Sequence, residues 1–177
     1  AMMGAMIFFF FFSKPVARKF GKAEISAFSN LFAGLGSLLI YFLRPQNVFV
    51  YIIVQTISWL GLGVFSMVSW ALITDVIDYS EVKNGVREDG SVYALYSFAR
   101  KLGQAAASGV TGGLLTAIGY SEATAFDRNV TEGIFDISTL VPAIGFILLA
   151  IILWFWYPLH KKQVEKNIEL LNKKRSK

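Results

Sequence analysis

The sequence predicts an all-α membrane protein, and three observations carry that prediction. Of 177 residues, 55% are hydrophobic and 16% charged, where a soluble domain carries about a quarter charged residues. No long segment alternates polar and apolar residues as barrel strands do, and 16 phenylalanines favour helices instead. The basic residues behind the net charge of +5 cluster between apolar runs, as membrane topology demands, rather than spreading over a nucleic-acid-binding face. The absence of cysteine excludes disulfides, thiolate catalysis and Cys-ligated zinc.

Five apolar spans follow in order. Residues 1–12 (AMMGAMIFFFFF) reach only about 18 Å into a hydrocarbon core of about 30 Å. No positive segment precedes them, so they read as a transmembrane helix cut at its start, and the sequence as a fragment, rather than as a signal peptide. A short basic loop with Pro15 and Gly21 as breakers leads to a second span at residues 25–43. The segment RPQN (44–47) turns the chain into a third span at 48–74. A charged loop at 75–90 leads to the fourth span, 91–120, and a polar connection to the fifth, 134–157. Pro158 ends that helix. The chain thus divides into a membrane part, 1–157, and a basic tail, 158–177.

Fifteen of the 17 Lys and Arg residues fall on one side of these spans, against Arg44 and Arg128 on the other. That asymmetry puts the basic loops and the C-terminus of a multi-pass chain in the cytoplasm. In the tail, Val164, Ile168 and Leu171 share one face, which suits a basic amphipathic helix on an anionic leaflet; a frayed, solvated tail is the alternative. Asn129-Val130-Thr131 forms a glycosylation sequon in an outward loop, of a kind that also arises by chance.

The fourth span holds the most informative pattern. Lys101 sits about 15 Å along it, near mid-membrane, where a cation is costly and marks a site by default. At about 100° per residue, Tyr93, Ser97, Gln104, Ser108 and Thr111 fall within about 80° of it. The remaining faces carry Gly103, Ala107, Gly109 and Gly113, small enough for helices to approach closely. One face packs and the other lines a wet cavity, unless Lys101 snorkels to the interface beside Arg100. The third span carries Gln55, Trp59, Ser66 and Trp70 on one face, which suits a sugar ring, although Trp also anchors helices at interfaces. Asn30 reads as a helix–helix hydrogen bond.

The charged loop sets Asp75, Asp78 and Glu81 at three-residue spacing, followed by Lys83, Arg87, Glu88 and Asp89. Three readings fit. The carboxylates could hold a metal, as in a membrane phosphatidyltransferase, but Val76-Ile77 stand where that motif needs glycine and arginine. They could be a solvated loop, or an ionic latch that forms in one conformation and releases in another.

The run Trp70-Ala71-Leu72, Asp75, Asp78-Tyr79, Glu81, Lys83, Gly85, Arg87, Gly90, Tyr93, Ser97-Phe98, Arg100-Lys101, Gly103-Gln104-Ala105 resembles the glycoside–pentoside–hexuronide:cation symporters. These are relatives of the melibiose carrier in the major facilitator superfamily. The tail Tyr157-Pro158-Leu159 also resembles that family. The resemblance implies the C-terminal part of a twelve-helix carrier: a truncated helix eight plus helices nine to twelve. It implies secondary active transport of a glycoside or sugar with Na⁺ or H⁺ by alternating access, with no enzymatic activity, no cofactor and no resident metal. Lys101 stands at the family's cavity lysine, with Gln104, Tyr93, Ser97 and Trp70 beside it. Asp75, Asp78 and Arg87 stand as cytoplasmic gate residues. Asp89 replaces the glutamate that many relatives carry. The family's main sugar and cation carboxylates belong to helices one, two and four, so the partners implied are a sugar, membrane lipid and an N-terminal bundle, with no nucleic acid. The rival readings are a lysolipid or other amphiphile carrier of the same fold, a non-transporting membrane subunit, and a membrane enzyme. The last lacks a catalytic set, since the single histidine, His160, lies in the tail without an evident partner.

Overall fold

The computed structural model of the chain describes residues 20–176, so the apolar run at 1–12 lies outside the described residues. The described residues form five α-helices and no strand: α1 (Lys22–Leu43), α2 (Val48–Asn84), α3 (Asp89–Ala117), α4 (Arg128–Ile151) and α5 (Lys161–Arg175). A π-helical turn, Ile152–Trp156, extends α4.

Helix α1 is the hub, packed along both α2 and α4. Its buried face is mostly small: Ala23, Ser26, Ala27, Asn30, Ala33, Gly34 and Ser37, with Ile40 the one large side chain. Side chains of this size let backbones approach, which drives association where lipid is as apolar as the helices. A Cβ on Gly61 of α2 would collide with the Ser29 carbonyl and with Cβ of Ala33. A Cβ on Gly34 would sit 2.6 Å from Ile147 and 3.1 Å from the Ala143 carbonyl of α4. Asn30 Nδ2 donates to the Ser26 carbonyl of its own helix at 2.7 Å, rather than across to a neighbour as its residue type suggests. Helix α1 ends where Arg44 turns left-handed (φ 40°) ahead of Pro45.

Helix α2 corrects the sequence reading. The chain stays helical through Asn84, so Asp75, Asp78 and Glu81 lie on a helix and only 85–88 form the connection. Its 37 residues span about 55 Å, well beyond a hydrocarbon core of about 30 Å. Charge marks where a helix leaves lipid, not where it stops. The real stop is Gly85, left-handed at φ 80°, whose N–H caps the Glu81 carbonyl, with Lys83 in the last turn. The start is set by Asn47, whose side chain accepts from Phe49 N–H at 2.9 Å.

Helix α4 begins at Arg128 rather than at residue 134, with an Arg128–Glu132 ion pair (2.9 Å) on its first turns. Asn129 of the sequon is therefore helical, and Thr131 Oγ1 bonds the Asp127 carbonyl at 2.8 Å. An outward loop displaying that sequon does not form. Two ion pairs brace opposite ends of α1: Lys22–Asp75 to α2 and Arg44–Asp136 to α4, each at 2.6 Å. Arg44 also lies over the rings of Tyr41 (5.7 Å) and Phe135 (5.6 Å).

Among the described residues, three helices are long and apolar enough to cross a membrane: α1, α2 and α4 with its π turn. The protein is an integral, multi-pass membrane protein. Helix α3 forms where the fourth span was expected, but its glycines, serines and polar stripe keep it out of that set. It has no buried residue and leans away from the others, touching α2 and α4 only lightly.

The tail forms helix α5, folded back on the ends of α1 and α2. Leu159, Asn167 and Leu171 are buried there, and Val164 lines a cavity of about 120 Å³ with Lys22 and Asp75. The apolar face expected to lie on lipid is thus largely turned to protein, and Ile168 alone of its three residues stays exposed. A protein neighbour offers the same apolar burial as the leaflet, plus hydrogen bonds.

Candidate functional site

The site is built where α2 hands over to α3. The sequence-predicted residues Trp70 and Tyr93 come together, ring centroids 6.2 Å apart. Tyr96 joins them edge-on to Trp70 at 5.6 Å. Tyr96 escaped the sequence reading, although its spacing of three from Tyr93 is the signal that places two rings on one side of a helix. Trp70 remains half exposed, so the aromatic cluster has an open face. Trp59, on the same wheel face of α2, instead meets Phe146 of α4 edge-on at 6.5 Å. The indole rail is therefore divided between two neighbours.

Beyond this cluster α3 is bare. Every residue from 97 to 113 is exposed, including Ser97, Lys101, Gln104, Ser108 and Thr111. Lys101 has no hydrogen bond or ion pair with any described residue. The small-residue faces are equally open, since a Cβ on Gly103, Gly109 or Gly113 would meet nothing within 4 Å. The helix thus carries a cation and a polar stripe on one face and close-packing residues on another, with neither face covered among the described residues. Such a cation inside a membrane needs a wet cavity or a carboxylate partner.

At the cytoplasmic end expected from the charge asymmetry, the three gate candidates separate. Asp75 is 4% exposed and accepts from Lys22 Nζ at 2.6 Å, which also reaches the Ala71 carbonyl at 3.4 Å. It is an internal strap between α1 and α2, with Oδ2 left unpartnered. Asp78 and Arg87 do come together. Arg87 Nη1 contacts Asp78 at 2.8 Å and Glu81 at 3.1 Å, while Nε and Nη2 grip both oxygens of Asp89 at 2.9 and 3.0 Å. Hydrogen bonds to Asp78, then Asp89, then Glu81 hold the Arg87 proton above its already high range. A guanidinium fork suits this bidentate grip better than an ammonium would. Each carboxylate thus has a cation neighbour, and among the described residues no group of three or more His, Cys, Asp or Glu is placed to hold a metal.

Two tail contacts were not foreseen. Arg175 Nη2 donates to Glu81 at 3.2 Å, and His160 Nδ1 lies 3.2 Å from Glu24, which also accepts from the Lys161 N–H at 3.2 Å. The histidine therefore has a partner after all, 136 residues away in sequence.

The family model described as MFS/sugar transport protein matches residues 1–161. The chain belongs to this family. Among its curated relatives, a glucuronide carrier protein homolog of Escherichia coli is 34% identical over 89% of this chain and 34% of its own length. A symporter of Bacillus subtilis is 32% identical over 92% of this chain and 35% of its own length. An isoprimeverose transporter of Lactiplantibacillus pentosus is 33% identical over 79% of this chain and 29% of its own length. The chain thus spans about a third of the length of the curated relatives it matches. No solved structure matches it. The symporter-family resemblance is borne out, and the relatives are carriers, not enzymes.

Proposed function

We propose that this chain is the C-terminal part of a carrier for secondary active transport of a glycoside or related sugar, coupled to Na⁺ or H⁺ by alternating access. The observation that carries the reading is the uncovered polar stripe of α3 centred on Lys101, in a chain belonging to a sugar-transport family. A membrane helix with a cation on one face and glycines on the other is stable only between a protein neighbour and a hydrated site. A second bundle closing on that face would supply both. The names of the glucuronide carrier homolog and the isoprimeverose transporter support a sugar as substrate.

In this mechanism Lys101 balances carboxylates contributed by the other bundle and hydrogen-bonds to the sugar or to those acids. Gln104 and Ser97 add neutral donors and acceptors along the same face. Trp70, with Tyr93, offers an aromatic face against which the apolar C–H side of a sugar ring can rest. Two bundles rocking around this central site would expose it to each side in turn. Arg87 with Asp78 sits at the inner end, where ion pairs can form and break between the two states. The carrier lies in the plasma (inner) membrane with its C-terminus in the cytoplasm.

The test is cation-driven uptake by the full-length carrier. Lys101→Ala is expected to lower accumulation roughly tenfold or more, the size of effect when one member of a buried charged pair is removed, with normal amounts of protein in the membrane. Accumulation at the wild-type level would remove Lys101 from the site.

A further inference from the structure

The last turns of α2, the connection and the first residue of α3 together carry four carboxylates, Asp78, Glu81, Glu88 and Asp89, against two cations, Lys83 and Arg87. The tail supplies two more. Arg175 Nη2 donates to Glu81 Oε2 at 3.2 Å, and Lys174 Nζ donates to the Gly85 carbonyl at 3.1 Å. Arg87 Nη1 reaches the same Glu81 oxygen at 3.1 Å, so two guanidinium groups share one acceptor on a side chain only 12% exposed. Lys174 sits at the left-handed cap that ends α2, where the helix dipole favours a cation. The helix that delivers these groups is fixed upstream by the buried Leu159, Asn167 and Leu171 and by the grip of Glu24 on His160 and the Lys161 N–H.

We propose that the tail helix is a built-in competitor for the acidic face of this turn. The inference rests on the transporter reading above. A basic surface from the other bundle that closes on the turn must share or displace Arg175 at Glu81. With the tail docked, the turn and the tail end balance four carboxylates with four cations. With the tail released, two negative charges are uncompensated and free for the closing bundle. Docking of α5 therefore weakens inner-gate closure, and release strengthens it.

The test uses the full-length carrier with Ser108→Cys as reporter, since Ser108 lies on the stripe of α3, and a membrane-impermeant thiol reagent applied from the cytoplasmic side. Arg175→Gln is expected to slow modification by about two- to fivefold, the range an exposed ion pair can supply. In a Glu81→Gln background, where the acceptor shared by the two guanidinium groups has lost its charge, Arg175→Gln should change nothing further. Spin labels at positions 83 and 173 should report a broadened distance distribution in Arg175→Gln, showing release of the tail. Equal modification rates in all variants, slowing that persists with Glu81→Gln, or a tail that stays fixed would overturn the competitor. A reporter that reacts from neither side in the unaltered carrier would overturn the transporter reading, and this inference with it.

Discussion

The pair Lys22–Asp75 shows how unequal the two ends of one ion pair can be. Asp75 is 4% exposed, while Lys22 is 34% exposed at the first residue of α1. Removing the lysine strands a buried carboxylate, whereas removing the carboxylate leaves a cation whose stem can extend to water. Lys22→Met is therefore expected to cost roughly 2–4 kcal/mol and Asp75→Asn distinctly less. Apparent melting temperatures of the purified full-length carrier would show it, and equal losses would mean that Asp75 is not buried in the assembled protein. The pairing was hidden in the sequence because 53 residues separate its members. Trp70 and Tyr93 were each singled out in the sequence, but their contact was not, since Trp70 lies about four helical turns before the end of α2. Lys101 stands out in the sequence for another reason: charge inside an apolar span is rare.

Among the elements, α1 is held by glycine-scale contacts and α3 by almost none. Gly61 faces the backbone of α1, so Gly61→Val must push the two helices apart. Overpacking of this kind costs about 1–3 kcal/mol, and more where backbone atoms stand in the way. Gly145 of α4 has nothing within 4 Å of its missing Cβ, and Gly145→Ala is expected to leave yield and melting unchanged. Loss of folded protein in Gly61→Val but not in Gly145→Ala, measured by monodispersity after extraction, is the expected contrast; tolerance of both would refute the close contact. Span positions were readable from runs of hydropathy, but span ends were not. The extension of α2 to Asn84 keeps Val76, Ile77, Tyr79 and Val82 in helical register among its charges, and the glycine after it was a better stop signal than the first aspartate. The tail helix was readable as amphipathic, but which surface it covers depends on Leu171 and Asn167 finding protein rather than lipid, and periodicity cannot distinguish those two apolar environments.

At the scale of the whole molecule, orientation follows from charge. Lysine and arginine accumulate at the Lys22–Asp75 end, with Arg87, Arg100 and the tail, while Arg44 and Arg128 lie toward the opposite end. Moving the first group outward would carry many cations across the bilayer against the positive-inside bias. On the proposed orientation the connection between α3 and α4 faces outward, and its Phe126 is 97% exposed. A Phe126→Cys variant of the full-length carrier is expected to react with an impermeant maleimide added to intact cells. A Lys162→Cys variant should react only after permeabilisation, because the tail lies on the other side. Reversal of the two patterns would invert the topology and place the acidic turn, the tail contact and Arg87 outside, where they could not form an inner gate. Reaction of both positions in intact cells would mean that α4 does not cross the membrane, against its hydropathy and its length of 29 residues with the π turn. Among the described residues α1, α2 and α4 form a braced set, and α3 stands beside them with its Lys101 face uncovered, the face that the proposed second bundle would close on.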